Sequence, residues 1–321
     1  PQIILIQNLG MFSIGRTLKE SIVNGDVSES SIHTIIEIEE RSKFKSISKK
    51  DIFDVEYWSL EQAKLNKSES PLTGKVVLVT GGTGTIGYST AQKFKDNGAE
   101  VIIIDKDHKK IIKESKKAEF EAFTCDVTSR KEFSNVLSKI SIKYGGIDIL
   151  ISNAGSAFQS PIAEIEDKDL RDSFDINFFS HQIAASECIK IMKTQNNGGC
   201  LLFNISKQAI NPGKNFGSYG TSKAALLALC KQYALEYGQY GIRSNGVNAD
   251  RILGGMLTKQ LVNDRAKARN TTAEGYLKGN LLKQSVDPSD VADAFFNLAT
   301  SKKTTAAILT VDGGNIEASL R

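Results

Sequence analysis

From Lys75 onward, short runs of β-branched and aliphatic residues alternate with longer stretches whose apolar positions recur every three or four residues. Runs of about six apolar residues suit strands buried on both faces, and the 3.6-residue period suits helices with one buried face. The predicted strands are Lys75–Thr80, Glu100–Asp105, Glu121–Val127, Ile147–Asn153, Cys200–Ser206, Ile242–Asn248 and Ala306–Val311. Predicted helices include Ile86–Asp96, Lys131–Lys143, Asp167–Thr194, Ser218–Tyr237 and Pro288–Leu298. Strands separated by helices pair in parallel through right-handed crossovers. The expected fold class is therefore α/β, a doubly wound seven-stranded parallel sheet with helices on both faces.

Residues 1–70 follow a different rhythm. Helical periodicity is expected over Gly15–Asn24, Ser28–Arg41 and Ser48–Lys64, with strand character confined to the opening Pro1–Ile6. The chain of 321 residues can hold one α/β domain of about 250 residues plus an appendage. Two domains are expected, a helical piece at 1–70 and the α/β domain at 71–321. Without an initial methionine, the first piece reads as the start of a processed or truncated product. Its helices are expected to pack on the following domain or on a partner subunit.

Composition narrows the class. Hydrophobic residues at 40%, charged residues at 24% and a mean hydropathy of -0.22 describe a soluble globular chain. No apolar run reaches the roughly 18 residues of a membrane-spanning helix. Ile3–Ile6 lacks the basic flank and cleavage site of a signal peptide, so a cytoplasmic address is expected. The net charge of +4 is spread among interleaved acidic and basic residues, which argues against nucleic acid as a partner. Cys125, Cys188, Cys200 and Cys230 form no CxxC pair and read as reduced, structural thiols. His33, His108 and His181 are too scattered for a metal site and are expected at the surface or at helix caps.

Chemistry begins at the first strand of the sheet. Lys75–Thr80 runs into Gly81-Gly82-Thr83-Gly84-Thr85-Ile86-Gly87 and then a helix. A dinucleotide pyrophosphate requires close backbone approach and amides aimed from a helix N-terminus, which glycine permits. This Rossmann-type reading assigns Gly81, Thr83, Gly84, Thr85, Ile86 and Gly87 to the phosphates. Asp105 ends the next strand, eighteen residues after Gly87, where a carboxylate would accept bonds from the adenosine ribose and repel a 2′-phosphate. NAD is thereby favoured over NADP, although the adjacent Lys106 softens the preference.

Tyr219 and Lys223 stand four residues apart, on one face of a helix. A tyrosine titrates near 10 in water, and a neighbouring cation is expected to bring it toward the operating range. Ser206, at the end of the fifth strand, can hold a substrate oxygen while hydride moves. After the sixth strand, Arg251–Gln284 is expected to form a long helical, charged insertion over the ligand edge of the sheet. Its Arg251, Lys259, Arg265, Lys267, Arg269 and Lys278 form either a solvated face or an attractive surface for an anionic substrate.

These residues together resemble the short-chain dehydrogenase/reductase family. The family's Tyr-x-x-x-Lys matches Tyr219 and Lys223, and its serine matches Ser206, thirteen positions upstream. Its Asn-Ala-Gly matches Asn153, Ala154 and Gly155; its proton-relay asparagine matches Asn177 in DINFF; its adenine-contacting pair matches Asp126 and Val127. TVDGG at 310–314 resembles the family's last strand. Two positions depart from the pattern. The glycine spacing, GxxGxxG, is that of the extended, nucleotide-sugar branch, and Ala249-Asp250 replaces the usual Pro-Gly.

A narrower similarity runs along nearly the whole chain. GRTLKES, DVEYWSLEQAKL, SKQAINPGKNFGSYG, RSNGVNADRI and TVDGGNIEASLR resemble the dehydrogenase half of bifunctional rhamnulose-1-phosphate aldolase/alcohol dehydrogenases, with the tail of their class II aldolase half. The resemblance implies NAD-dependent hydride transfer to or from a small hydroxy-aldehyde or alcohol, lactaldehyde first. It implies Asn177, Ser206, Tyr219 and Lys223 as catalytic residues, no metal, and an aldolase domain upstream in the natural protein. Lyase activity is not expected of this polypeptide. The resemblance also implies homodimers or homotetramers built on Asp167–Thr194 and Ser218–Tyr237. Two other functions stay open: an epimerase or dehydratase with tightly held NAD, and a dinucleotide-binding module without turnover.

Overall fold

The computed structural model describes residues 2–56, 70–118 and 120–315. Pro1, the part of the predicted helix Ser48–Lys64 beyond Glu56, and the end of the TVDGGNIEASLR segment lie outside the described residues. The chain forms two compact units, Pro1–Gly74 and Lys75–Arg321.

The first unit contains a hairpin of β1 (Ile3–Ile6) and β2 (Gly10–Ser13), then α1 (Leu18–Glu39) and α2 (Lys49–Glu56). The hairpin is antiparallel, with Ile3 opposite Ser13 and Ile6 opposite Gly10. Its turn uses two positive φ angles, at Asn8 (62°) and Gly10 (132°), which asparagine and glycine tolerate. The sequence pattern misses β2. It also divides α1 in two, whereas a single helix runs from Leu18 to Glu39. Thr17 caps it by accepting from the Glu20 amide at 3.2 Å. Gly25 lies in mid-helix, where a Cβ would stand 3.1 Å from the Ser13 hydroxyl, so close approach of β2 explains the glycine without a helix break.

The second unit holds β3 (Val76–Thr80), α3 (Thr85–Asp96), β4 (Glu100–Asp105), α4 (His108–Ala118), β5 (Glu121–Thr124) and α5 (Arg130–Tyr144). It continues with β6 (Ile149–Ser152), α6 (Asp167–Phe174), α7 (Ser180–Gln195), β7 (Gly199–Asn204), α8 (Gly217–Tyr237) and β8 (Ile242–Ala249). Two short helices, α9 (Lys259–Lys267) and α10 (Ala273–Leu277), precede α11 (Pro288–Thr300) and β9 (Ile308–Val311). The sheet has seven strands in the order β5-β4-β3-β6-β7-β8-β9, every pairing parallel. The expected fold class is the observed one.

Both faces of the sheet are covered, which explains the continuous apolar runs. Val77, Leu78, Ile102, Ile103, Leu150, Leu201 and Phe203 have no exposed surface. Several boundaries move for local reasons. β5 ends at Thr124 because Asp126 turns the chain, its carboxylate accepting from the Thr128 amide at 2.9 Å. β9 starts at Ile308 because Ala306 has a φ of 58°. α4 was not predicted, since its lysine-rich sequence buries little beyond Ile111.

Two larger corrections concern the ligand side. The helix expected over Asp167–Thr194 is interrupted by a π-helical turn, Asp175–Phe179, centred on buried Asn177. The insertion at 251–284 is not one long helix: α9 and α10 are separated by turns at Asn270 and followed by a turn at Lys283, each with positive φ.

Candidate active site

The order of strands reverses direction between β3 and β6, so the loops after these strands part and leave a crevice at their carboxyl ends. A cleft of about 690 Å³ opens there. Its walls include Gly81, Gly84, Asp105, Asp126, Asn153, Ser206 and Tyr219. The residues expected at a nucleotide and those expected at a reacting carbon thus share one cleft.

The glycine turn is sterically determined. Gly81 has a φ of 62°, and a Cβ on Gly87 would stand 2.2 Å from the Gly81 carbonyl oxygen. Gly84 heads α3 with no side-chain cap, which leaves first-turn amides for a ligand. Gly84, Thr85 and Ile86 line the cleft at this point. Thr83 points elsewhere: its hydroxyl and amide donate to Asp105 Oδ2 at 2.6 and 3.2 Å. The Asp107 amide donates to Asp105 Oδ1 at 3.2 Å. Three donors therefore fix the carboxylate, and an ionised carboxylate with about four acceptor sites keeps one for a ribose hydroxyl. Lys106 lines the cleft beside it.

Asp126 and Val127 follow β5 on the cleft wall. Asn153 clamps the strand ends: its amide nitrogen donates to the Thr80 carbonyl at 3.1 Å and its oxygen accepts from Asn204 at 2.9 Å. The backbone amides of Asn153 and Ala154 both reach the Thr80 hydroxyl, at 3.0 and 3.1 Å. The side chain of Asn153 is thus committed to holding β3, β6 and β7 in register at the cleft floor.

Tyr219 and Lys223 lie one turn apart on α8, both buried. Ser206 leaves β7 and hydrogen-bonds Tyr219, while its Oγ also accepts from the Gln208 amide at 3.2 Å. The Lys223 ammonium stands 5.9 Å from the Tyr219 ring centroid and donates to the Asn204 carbonyl at 2.8 Å. Burial raises the Tyr219 phenol above its ordinary value, and the Ser206 hydrogen bond only partly reverses this. Burial also lowers Lys223, to about 7. The expectation that the lysine charge lowers the tyrosine is corrected accordingly, because desolvation acts against the charged form of both groups.

Asn177 makes no hydrogen bond to Tyr219, Ser206 or Lys223 among the described residues. Its Nδ2 donates to the carbonyls of Ser156 and Ser173 at 2.7 and 2.9 Å, and its Oδ1 accepts from the Ser156 amide at 3.1 Å. A Cβ on Gly155 would lie 3.0 Å from Asn177 Oδ1 and 3.8 Å from Lys223 Nζ. Gly155 therefore keeps open the gap between the asparagine and the lysine. The π-helical turn aims Asn177 at this gap, and such turns recur at functional sites.

One residue of the site was misread from the sequence. His181 is buried, not superficial; its Nδ1 is 2.7 Å from the Ser152 hydroxyl and its Nε2 is 3.4 Å from Lys223 Nζ. Burial, then Lys223, holds it well below the usual histidine range, so the ring is neutral. Its place four residues after Asn177 on one helical face was the available signal. Of the cysteines, only Cys125 lines the cleft among the described residues, and burial raises its thiol to about 11. No cluster of His, Cys, Asp and Glu suited to a metal ion occurs among the described residues.

Asp250, in place of the usual Pro-Gly, accepts from Lys207 Nζ at 3.0 Å and from Asn315 at 3.2 Å. It also pairs with Arg251 at 3.4 Å. This network closes the cleft beside the 3₁₀ turn Lys207–Ala209 that follows Ser206.

Comparison with known proteins agrees with this geometry. Residues 75–265 match the short chain dehydrogenase family model, and residues 1–65 match that of the second domain of class II aldolases. An uncharacterized oxidoreductase of Bacillus subtilis (strain 168) is 33% identical over 98% of the chain, which spans 48% of that protein's length. The aldohexose dehydrogenase of Thermoplasma acidophilum is 28% identical with a TM-score of 0.67, over 77% of this chain and 96% of that one. An NAD+-bound xylitol dehydrogenase is 25% identical with a TM-score of 0.70, over 76% of this chain and 99% of that one.

Proposed function

The chain belongs to the short chain dehydrogenase family, and on that premise we propose that it transfers hydride between NAD and a small hydroxy-aldehyde or alcohol. Lactaldehyde and propane-1,2-diol are the first compounds to test. The observation that carries this reading is the buried Ser206–Tyr219 pair, with Lys223 one turn behind it, in the same cleft as the glycine turn and Asp105. The NAD+-bound xylitol dehydrogenase lends support for both cofactor and substrate type.

The cleft residues suit the dinucleotide. First-turn amides of α3 around Gly84, Thr85, Ile86 and Gly87 would hold the pyrophosphate, with Gly81 giving it room and Thr83 orienting Asp105. The free acceptor site of Asp105 would take the adenosine ribose, Asp126 and Val127 the adenine, and Ala154 and Gly155 the neighbouring backbone contacts. Lys223 would hold the nicotinamide ribose. Bound nicotinamide would supply the hydride acceptor in oxidation and the donor in reduction.

Ser206 Oγ donates to the substrate oxygen and holds it beside Tyr219 Oη. In oxidation the substrate hydroxyl proton passes to Tyr219 Oη as that phenol gives up its own proton toward Lys223, while hydride leaves the same carbon; in reduction the relay runs in the opposite direction. Lys223, whose proton is held near neutrality, would in turn exchange that proton through the gap that Gly155 leaves open toward Asn177. An aldehyde would be oxidised as its hydrate, because the Cys125 thiol is too weakly acidic to supply a thiolate.

Several further points belong to this reading. An aldolase portion precedes these residues in the natural protein, a view supported by the match at 1–65 and the doubled length of the Bacillus relative. The assembly is a homodimer or homotetramer on α6–α8, where Phe179 and Leu235 are 48% and 78% exposed. No helix among the described residues is long and apolar enough to cross a membrane. The test is absorbance of reduced nicotinamide, with NAD and NADP in parallel. Tyr219→Phe should lower turnover by about 100-fold or more while NAD still binds. Undiminished turnover in that variant, or none in the parent with any small hydroxy-aldehyde or alcohol, would remove the assignment.

A further inference from the structure

The lid over the cleft carries one guanidinium with no assigned work. α9 begins at Thr258, whose hydroxyl caps the Leu261 amide at 3.2 Å. Two residues of this helix, Val262 and Ala266, are buried in a small apolar cluster with Tyr276 of α10. That cluster fixes the rotation of α9 and turns the adjoining stripe, Leu261 and Arg265, toward the cleft, which both residues line.

Arg265 Cζ lies over the Phe216 ring at 4.5 Å from its centroid, within cation–π reach. Phe216 in turn meets the Tyr219 ring edge to face, with centroids 6.2 Å apart. The guanidinium is therefore one aromatic ring away from the phenol that exchanges the proton. Its Nε is buried without a hydrogen-bond partner, and the side chain makes no ion pair among the described residues. A buried donor left unmatched costs about 1–3 kcal/mol, so a ligand acceptor is the natural partner.

The neighbouring cation is differently employed. Arg251 pairs with Asp250 and donates to the carbonyls of Tyr276 and Gly279 at 2.8 and 3.1 Å. Asp172 and Asp175 also line the cleft, but neither pairs with Arg265. The cleft thus holds a rigid, planar, permanently charged donor fork beside the reaction centre, free to take a second group of the substrate. Guanidinium forks match carboxylate and phosphate oxygens in bidentate fashion.

We propose that Arg265 is a specificity-determining residue, and that the preferred substrate carries a carboxylate or phosphate a few carbon atoms from the carbon that exchanges hydride. The proposal rests on the hydride-transfer reading and narrows its substrate class to the anionic members. Glycerol 3-phosphate and 3-hydroxybutyrate represent the two kinds of oxyanion, and glycerol and butane-1,3-diol are their neutral counterparts.

The experiment compares kcat/KM for these four compounds in the parent protein, Arg265→Gln and Arg265→Lys, with inorganic phosphate and acetate titrated calorimetrically into each. Circular dichroism checks the fold of each variant. The parent should favour one anionic compound over its neutral counterpart by about 10-fold to 100-fold, the range a charged hydrogen bond supplies. The phosphate or carboxylate arm that responds names the group. In Arg265→Gln the ratio should collapse toward one, through KM, and binding of the matching simple anion should weaken about 10-fold or more. Arg265→Lys should fall between, because a point charge lacks the fork.

An equal or greater rate on the neutral compounds, or an anion preference that persists in Arg265→Gln, would overturn the proposal and leave the dehydrogenase reading standing. So would weakened NAD binding in Arg265→Gln with an unchanged substrate ratio, which would assign the guanidinium to the dinucleotide. Anion binding lost in Arg265→Gln, but with no turnover of any compound in the parent, would refute hydride transfer while keeping the anion site.

Discussion

Lys223→Met should make the folded protein more stable near neutrality and less stable in base. Burial lowers Lys223 from 10.5 to about 7, and each pKa unit corresponds to about 1.4 kcal/mol. The cation is therefore opposed in the folded state by up to about 5 kcal/mol. Between pH 7 and 10.5 the unfolded lysine keeps its proton while the folded one has lost it, so stability rises with pH across that window. Methionine has no proton to lose, but it forfeits the 2.8 Å bond to the Asn204 carbonyl and leaves that oxygen unmatched, at about 1–3 kcal/mol. The variant should gain about 1–3 kcal/mol at pH 7 and lose about 1–3 kcal/mol near pH 10.5.

Urea unfolding of both proteins at pH 7, 8.5 and 10.5 measures the difference. Staying at pH 7 or above keeps the unfolded His181, with its ordinary value of 6.5, out of the balance. The raised thiols of Cys125, Cys188, Cys200 and Cys230 titrate alike in both proteins and cancel. A difference that stays constant with pH, or a variant already weaker at pH 7, would refute the account of a desolvated ammonium. Turnover should be lost at every pH.

Gly87→Ala sets a methyl 2.2 Å from the Gly81 carbonyl, so NAD affinity should fall at least about 10-fold with a stability loss of about 1–3 kcal/mol; unchanged calorimetric binding would contradict it. Asp105→Ala removes the acceptor for the ribose and frees Thr83, and the kcat/KM ratio of NADP to NAD should rise about 10-fold or more. If the ratio stays put, Asp105 only braces the turn. His181→Phe leaves the Ser152 hydroxyl without its 2.7 Å partner, and unfolding should require about 1–3 kcal/mol less; an unaltered urea midpoint would deny the histidine its part in holding the site.

Periodicity carries far in this chain because the sheet is parallel. A strand buried on both faces needs an unbroken apolar run, and each crossover needs a connecting segment, so the seven strands of the large sheet could be read directly. The residues of the cleft were equally legible where local geometry demands a particular type: Gly81 for its positive φ, Gly87 for its contact with a carbonyl, and Tyr219 with Lys223 for sharing one turn of α8. Such demands act within a few residues of the chain, where spacing is visible.

What depended on distant segments was not visible. The hairpin strand β2 is defined by its partner, Gly25 is explained by Ser13, and Asn177 in its π-helical turn donates to the carbonyls of both Ser156 and Ser173. His181 became part of the site only when β6 and α8 met beside it, bringing Ser152 and Lys223 to its two nitrogens. The direction of the Tyr219 and Lys223 shifts was decided in the same way. Spacing tells which charges are neighbours, but desolvation depends on what the whole fold packs around them, and here it is the leading cause of both shifts.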